Sequence, residues 1–356
     1  MTSPTSTFAI STFAIAALAI GAFALSVTAA ATALAADATW KPDRPINIIV
    51  PWSAGGSTDQ ITRLVAPMLE EELGVPVVVV NQTGASGSIG TKAALDAPRD
   101  GYTWSANAIA DTGVYAVTGL IENTSMDDYR LYLSVANVPV LSVNHETAYQ
   151  TFADALHAMG GSEPFTVATA GVNSSGGMAL AALQAATENE LNARQIAYDG
   201  GNPAVLAAAS GEAIATTQLA ADQSQMIKGG KLRPLVAFAA QAVEMDGVPP
   251  IPPITDTLPD MTVAPKHFGI FIPKGAPQEV YDTMDALWQK VVMDNDAIRA
   301  YARDRGAIYD PAFGEEARDK AAPSVIAEAC AKVDAGIAAI DPSTIGIDCD
   351  ARTLAQ

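Results

Sequence analysis

Residues 46 to 96 hold two consecutive units of strand, glycine-rich loop and helix, and that arrangement limits what the chain can form. Ile46, Ile48, Ile49 and Val50 are an apolar, β-branched run short enough for a strand buried on both faces. Ser53 to Asp59 interrupts it. Ile61, Leu64, Val65, Met68, Leu69 and Leu73 then recur at helical spacing, Ser57 or Thr58 is the expected N-cap, and Gly74 is the stop. The second unit is a strand Val75 to Asn81, a loop Gln82 to Gly87 and a helix from about Ser88 through Leu95. Two such units side by side bring two helix N-termini to one place. Glycines at 55, 56, 84 and 87 let main-chain amides approach without Cβ obstruction, and each helix start adds free N–H groups and partial positive charge. A small anion suits such a place, above all a carboxylate. Ordinary βα turns also need glycine and a capping hydroxyl, but two in succession, each longer than a minimal turn, favour a binding site. Nucleotides are not expected. Gly84 to Gly90 reads GxxGxxG, and neither GxGxxG nor GxxxxGK[ST] occurs.

The chain has 356 residues and is 49% hydrophobic, enough for two domains with sizeable cores. Residues 8 to 36 are almost wholly apolar and close on Ala33-Leu34-Ala35, an A-x-A cleavage pattern, so residues 1–35 are expected to be a signal peptide and the mature protein periplasmic. The usual positive n-region is missing, and an uncleaved membrane anchor is the alternative. Residues 1–35 carry no charged side chain, so the mature chain keeps the whole net charge of −19. That acidity argues against nucleic acid and anionic membrane as partners. Cys330 and Cys349 are the only cysteines, and in an oxidising compartment they either pair or remain two thiols.

Along the chain, residues 101 to 107 read as a third strand leading to a polar loop, where Asn107 and Asp111 join the same cleft by the rule that ligands sit at carboxyl ends of strands. Tyr115 either lines it or packs. Leu131 to Asn144 is strand-like and apolar, and Thr151 to Met159 is helical. Phe165 to Ala170, Gly171 to Gly177 and a helix from about Met178 to Thr187 repeat the strand, Gly/Ser loop and helix device. A strand at 193–198, a helix at 204–209 and a strand at 213–217 continue the α/β alternation, and the Pro-rich stretch 248–259 is a surface connection. Helices are expected at about 278–293, 296–305 and 315–340.

The residues of an enzyme are not assembled. His145, His157 and His267 have no metal-ligand spacing, and no GxSxG elbow occurs, since Ser86 sits in GASG. No cofactor, metal or catalytic residue is expected. Trp52, beside the first loop, either stacks on an aromatic acid or belongs to the core.

Pro42-Asp43-Arg44-Pro45, Val50-Pro51, Ala54-Gly55-Gly56-Ser57-Thr58-Asp59, Gly84-Ala85-Ser86-Gly87-Ser88-Ile89-Gly90-Thr91 and Asp100-Gly101-Tyr102-Thr103 together resemble the substrate-binding proteins of tripartite tricarboxylate transporters. The resemblance runs, more weakly, from about residue 41 to 315. It implies a two-lobed α/β periplasmic-binding-protein fold, type II-like, with residues 36–143 and 263–356 in one domain, 144–262 in the other, and a hinge between. It also implies a binding protein that closes on a small carboxylate-bearing ligand and presents it to membrane transporter subunits, and a monomer is the default for a shuttle that must dock on a membrane partner. Carried over, Ser53, Ala54, Gly55, Gly56, Ser57 and Asp59 form the first ligand loop, and Ala85, Ser86, Gly87, Ser88 and Thr91 the second. Asn173, Ser174 and Ser175, with Tyr198 to Gly201, read the far end of the ligand. Here the chain departs from the pattern: Asp199 stands where members often carry Lys, Gly177 where they often carry His, and Gln218 where they often carry Asp. With Asp111 and Asp199 near the cleft, the ligand's distal end is expected to carry an amine or hydroxyls, unless both are solvated rim residues. A sensor subunit docking on a membrane receptor and a secreted α/β enzyme acting on small acids are the competing readings.

Overall fold

In the computed structural model, residues 39–188 and 190–354 are described; the expected leader lies outside them. Strand β1 (Ile46–Val50) leads into helix α1 (Ser57–Leu73), which turns Ile61, Val65 and Leu69 inward. Gly74 ends that helix in the left-handed conformation at φ 71°, its N–H on Glu70 O. Strand β2 (Val77–Asn81), helix α2 (Ser88–Asp96) and strand β3 (Thr103–Ala108) follow, and β2 and β3 both pair parallel with β1. Having a neighbour on each side, β1 is buried except at Asn47, whereas the edge strand β2 leaves Val78 and Val80 exposed. Where a polar loop was expected, a short buried helix α3 (Ile109–Gly113) intervenes.

The apolar run Leu131 to Asn144 is two strands rather than one. Strand β4 (Tyr129–Asn137) belongs to the first sheet and β5 (Val140–Asn144) to a second, and the chain crosses between them at Val138-Pro139. The second sheet is built from β5, helix α4 (Phe152–Met159), strand β6 (Phe165–Thr169), helix α5 (Ser175–Ala186), strand β7 (Ala193–Ala197), helix α6 (Gly201–Ser210), strand β8 (Ala215–Thr216), helix α7 (Ala220–Lys228) and strand β9 (Leu232–Ala237). Its strand order is β7-β6-β8-β5-β9, with β6 parallel to β7 and β8 and β5 antiparallel to β8 and β9. Part of the Pro-rich connection is a hairpin of β10 (Val243–Met245) and β11 (Val248–Ile251).

The chain returns through β12 (Lys266–Pro273), which is buried at every residue between β3 and β4 and antiparallel to both. Gly269 is needed there, since a Cβ would lie 2.0 Å from Tyr132 O. Helix α8 (Gln278–Val291), helix α9 (Asp296–Arg305), strand β13 (Ile308–Phe313) and helix α10 (Gly314–Asp334) complete the first sheet, in the order β13-β4-β12-β3-β1-β2. Each sheet has its own core. Leu131, Leu133 and Phe271 pack on Ala321 and Val325 of α10 in one, and Phe165, Val167 and Leu180 form the centre of the other. Helix α10 ends before residue 340, and the following segment folds back so that Cys330 and Cys349 are joined as a disulfide. The result is an α/β protein of two lobes, with the carboxyl ends of β1 and β2 facing those of β6 and β7.

Candidate functional site

Helix α1 starts at Ser57 with Gly56 as its N-cap residue and no cap from a nearby side chain. The expectation of a Ser57 or Thr58 cap is therefore corrected: both lie inside the helix. The cap comes instead from the other lobe. Asp222, in the first turn of α7, accepts a 2.5 Å hydrogen bond from Ser57 N–H through Oδ1. A side-chain carboxylate thus occupies the anion position that the helix N-terminus offers. Burial pushes the Asp222 carboxyl up to about 6, outweighing the lowering effect of the Ser57 hydrogen bonds.

Asp59 braces the first loop from within its own lobe. Its Oδ2 accepts Gly55 N–H at 2.9 Å, and Oδ1 takes Arg63 Nε and Asn81 Nδ2, both at 2.9 Å. Burial would raise this carboxyl, but those bonds hold it below the usual carboxylate range. The second loop is strained: Gly84, Ala85, Ser86 and Gly87 have φ of 124°, 47°, 52° and 84°. For Ala85 and Ser86 the left-handed region costs roughly 1 kcal/mol each, so the surroundings must hold them there. Tyr115 does so by donating to Ser86 O at 2.9 Å, and Ser88 Oγ bonds Ala85 O at 2.9 Å. Asn107 accepts Trp52 Nε1 at 2.7 Å and thereby orients the indole, while Thr91 is wholly buried.

In the other lobe, Ser174 caps α5 by accepting Gly177 N–H at 3.1 Å, and the helix begins at Ser175, earlier than expected. Ser175 Oγ donates to Asp111 Oδ1 across the lobes at 2.9 Å. Burial, then the Glu328 charge, push the Asp111 carboxyl well above the usual range. Asn173 turns away from the cleft and accepts Lys332 Nζ at 2.7 Å. Tyr198 donates to Glu212 at 2.8 Å, and Asp199 is exposed at the rim. Gln218 is 2% exposed, and its Nε2 has no hydrogen-bond partner.

These groups enclose two small spaces that share Trp52. The inner one, about 30 Å³, is lined by Ser57, Asp111, Ser175, Gln218 and Asp222, and admits water but not an organic acid. The outer one, about 260 Å³, is lined by Ala85, Ser86, Gly87, Tyr198 and Asp199. The lobes are closed so tightly that a Cβ on Gly200 would sit 2.1 Å from Ser53 Oγ, and one on Gly171 would sit 2.5 Å from Ser86 Oγ. Gly55 packs against Asn202 from the other lobe, and Ala54 is exposed beside it. Ser53, Ala54, Gly55, Asp59, Ser88, Thr91, Asn107 and Asn173 line neither space. Sequence reasoning missed Asp222, Leu219 and Phe268, which line the inner space without belonging to any motif. Chemically the site can hold an anion by amides and hydroxyls. Among the described residues no cluster of His, Cys, Asp or Glu is arranged for a metal.

Residues 61–340 match the family described as the tripartite tricarboxylate transporter family receptor. Protein BugT of Bordetella pertussis is 29% identical over 276 residues, 76% of this chain and 83% of its own. The solved periplasmic binding protein BugD superposes with a TM-score of 0.75 at 22% identity, covering 83% of this chain and 99% of that one. An R. palustris protein solved with adipate does so with a TM-score of 0.75 at 21% identity and the same coverage. Over more than half its length the chain matches one family, and it belongs to the tripartite tricarboxylate transporter receptor family.

Proposed function

We propose that this chain is a periplasmic solute-binding protein that closes its two lobes on a small organic acid and hands it, unaltered, to membrane transporter subunits of the tripartite tricarboxylate type. It acts as a monomer, and binding energy shifts an open-closed equilibrium. One observation supports this reading above the rest: the N-terminus of α1 already takes a carboxylate, that of Asp222, through the Ser57 amide. An incoming acid displaces Asp222 from that amide, and its body extends over Trp52 toward the second loop. Ser86 and Gly87 meet it there, with the unpartnered Gln218 amide on the opposite wall. Adipate in a structural relative is an acid of the size and charge this reading calls for.

The test is thermal unfolding of purified protein, refolded from denaturant to strip any retained ligand, against aliphatic di- and tricarboxylates, aromatic acids, amino acids and sugar acids. A ligand at 100 times its Kd adds about 2.7 kcal/mol and moves the midpoint by a degree or more. The expected result is a concentration-dependent shift by one class of acid, recovered chemically intact. No shift with any acid, or turnover of the acid that binds, overturns the reading.

A further inference from the structure

Two buried lysines outside the cleft stand at the floor of a third cavity. Lys266 and Glu328 form a buried ion pair between β12 and α10. Lys332, one turn further along α10, is 3% exposed and donates to the neutral Asn173 Oδ1 at 2.7 Å. Among the described residues no carboxylate lies within ion-pairing distance of it. Glu328 gives one oxygen to Lys266, while its other oxygen, Oε2, is buried without a hydrogen-bond partner. Lys332 is therefore left without an ion pair, while the cavity's other carboxylates are Asp334, which Arg352 holds, and the exposed Asp260. Burial pulls Lys332 below the ordinary lysine value, although the Glu328 and Asp111 charges act in the opposite direction.

Above this floor is a cavity of about 300 Å³, within the range of small-molecule sites. Its walls are apolar and come from both lobes: Met178 and Ala182 of α5, Met261 of the return crossing, and Ala331 and Ile337 on and after α10. The segment beyond the family match contributes Arg352 to the lining. The Cys330–Cys349 disulfide folds that segment back, and Arg352 reaches Asp334 at 2.8 Å beside the opening. Ser175 lines this cavity and also the inner space of the cleft, where it donates to Asp111.

We propose that this interlobe cavity is a second ligand site, which takes a monocarboxylate with an apolar body, its carboxylate on Lys332 and its hydrocarbon between α5 and α10. The apolar walls disfavour a hydrated dicarboxylate, and the Lys332 ammonium, which donates only to a neutral amide and has no ion pair, selects an acid over a neutral lipid.

The experiment is isothermal titration of the purified protein with octanoate, and with octanol as the uncharged probe of the same chain length. Octanoate is expected to bind at least tenfold more tightly than octanol. Lys332→Gln should weaken octanoate at least tenfold, and Ala182→Trp, which fills the cavity from the lobe-two side, should abolish binding. The proposal is overturned by any of three results: no octanoate binding, octanol binding as tightly, or undiminished octanoate binding in Ala182→Trp, which would place it elsewhere. Should Lys332→Gln fail to fold, the octanoate-to-octanol ratio on the wild type and the Ala182→Trp titration decide the matter.

Discussion

Asp222 is a lobe-two carboxylate acting as the N-cap of a lobe-one helix, and it competes with any acid for the same amide. Replacing it with Asn keeps an acceptor for Ser57 N–H but removes the charge. Asp222→Asn is therefore expected to bind cleft acids about tenfold more tightly at pH 7.5, the equivalent of about 1.4 kcal/mol. The sign with pH follows from burial. A carboxyl raised to about 6 from 3.8 gives stability that is full below pH 4 and lost as pH rises through 6. The wild type should lose up to about 3 kcal/mol relative to Asp222→Asn between pH 4 and 7, read by urea unfolding. Tyr301 of α9, whose phenol burial and the Asp222 charge push up from its ordinary value, does not titrate in that window. Weaker acid binding by the variant would mean that Asp222 instead receives a donor from the ligand.

At the scale of elements, the second loop is the part most dependent on its setting. A Cβ on Gly87 would lie 2.7 Å from Tyr115 Oη and 2.9 Å from Trp52 Cζ2, at φ 84°. Gly87→Ala is expected to cost about 1–3 kcal/mol in thermal or urea unfolding and at least tenfold in acid affinity, while circular dichroism keeps the α/β signature. Unchanged affinity would remove this loop from the site. The elements themselves were largely legible. Strand β1, helix α1 and its Gly74 stop follow from periodicity and glycine placement, because a strand or helix stripe is a local pattern. Helix α7 was not legible, since its sequence AADQSQMIK has only a weak apolar stripe and its burial depends on packing against β9 and α9. The resemblance put the crossing between lobes within residues 131–144, but the split into two strands at 138–139 was not legible. An unbroken apolar run looks the same whether one sheet or two bury it, and only Pro139 marked the crossing.

For the whole molecule, closure is the property that the described contacts make testable. Gly200 rests on Ser53 with no room for a side chain, so Gly200→Val should wedge the lobes apart. Small-angle scattering is expected to show a larger radius of gyration than the wild type, with no contraction when the preferred acid is added. An unchanged radius would mean that the lobes do not part at this contact. The sequence by itself determined the α/β alternation, the two glycine loops over helix starts and the family, because each is written in neighbouring residues. Of the candidate site it placed Trp52, Ser57, Ser86, Gly87, Ser175 and Gln218 beside the cleft spaces, but it could not tell Asn107 and Asp59, which brace the loops, from residues that face a ligand. Only the tertiary structure decided that a carboxylate 165 residues away caps α1, that Asn173 turns toward Lys332, and that Ile337 and Arg352, after α10, line a cavity with α5. Those are relations between surfaces distant in sequence, and burial and pairing there depend on how the lobes meet.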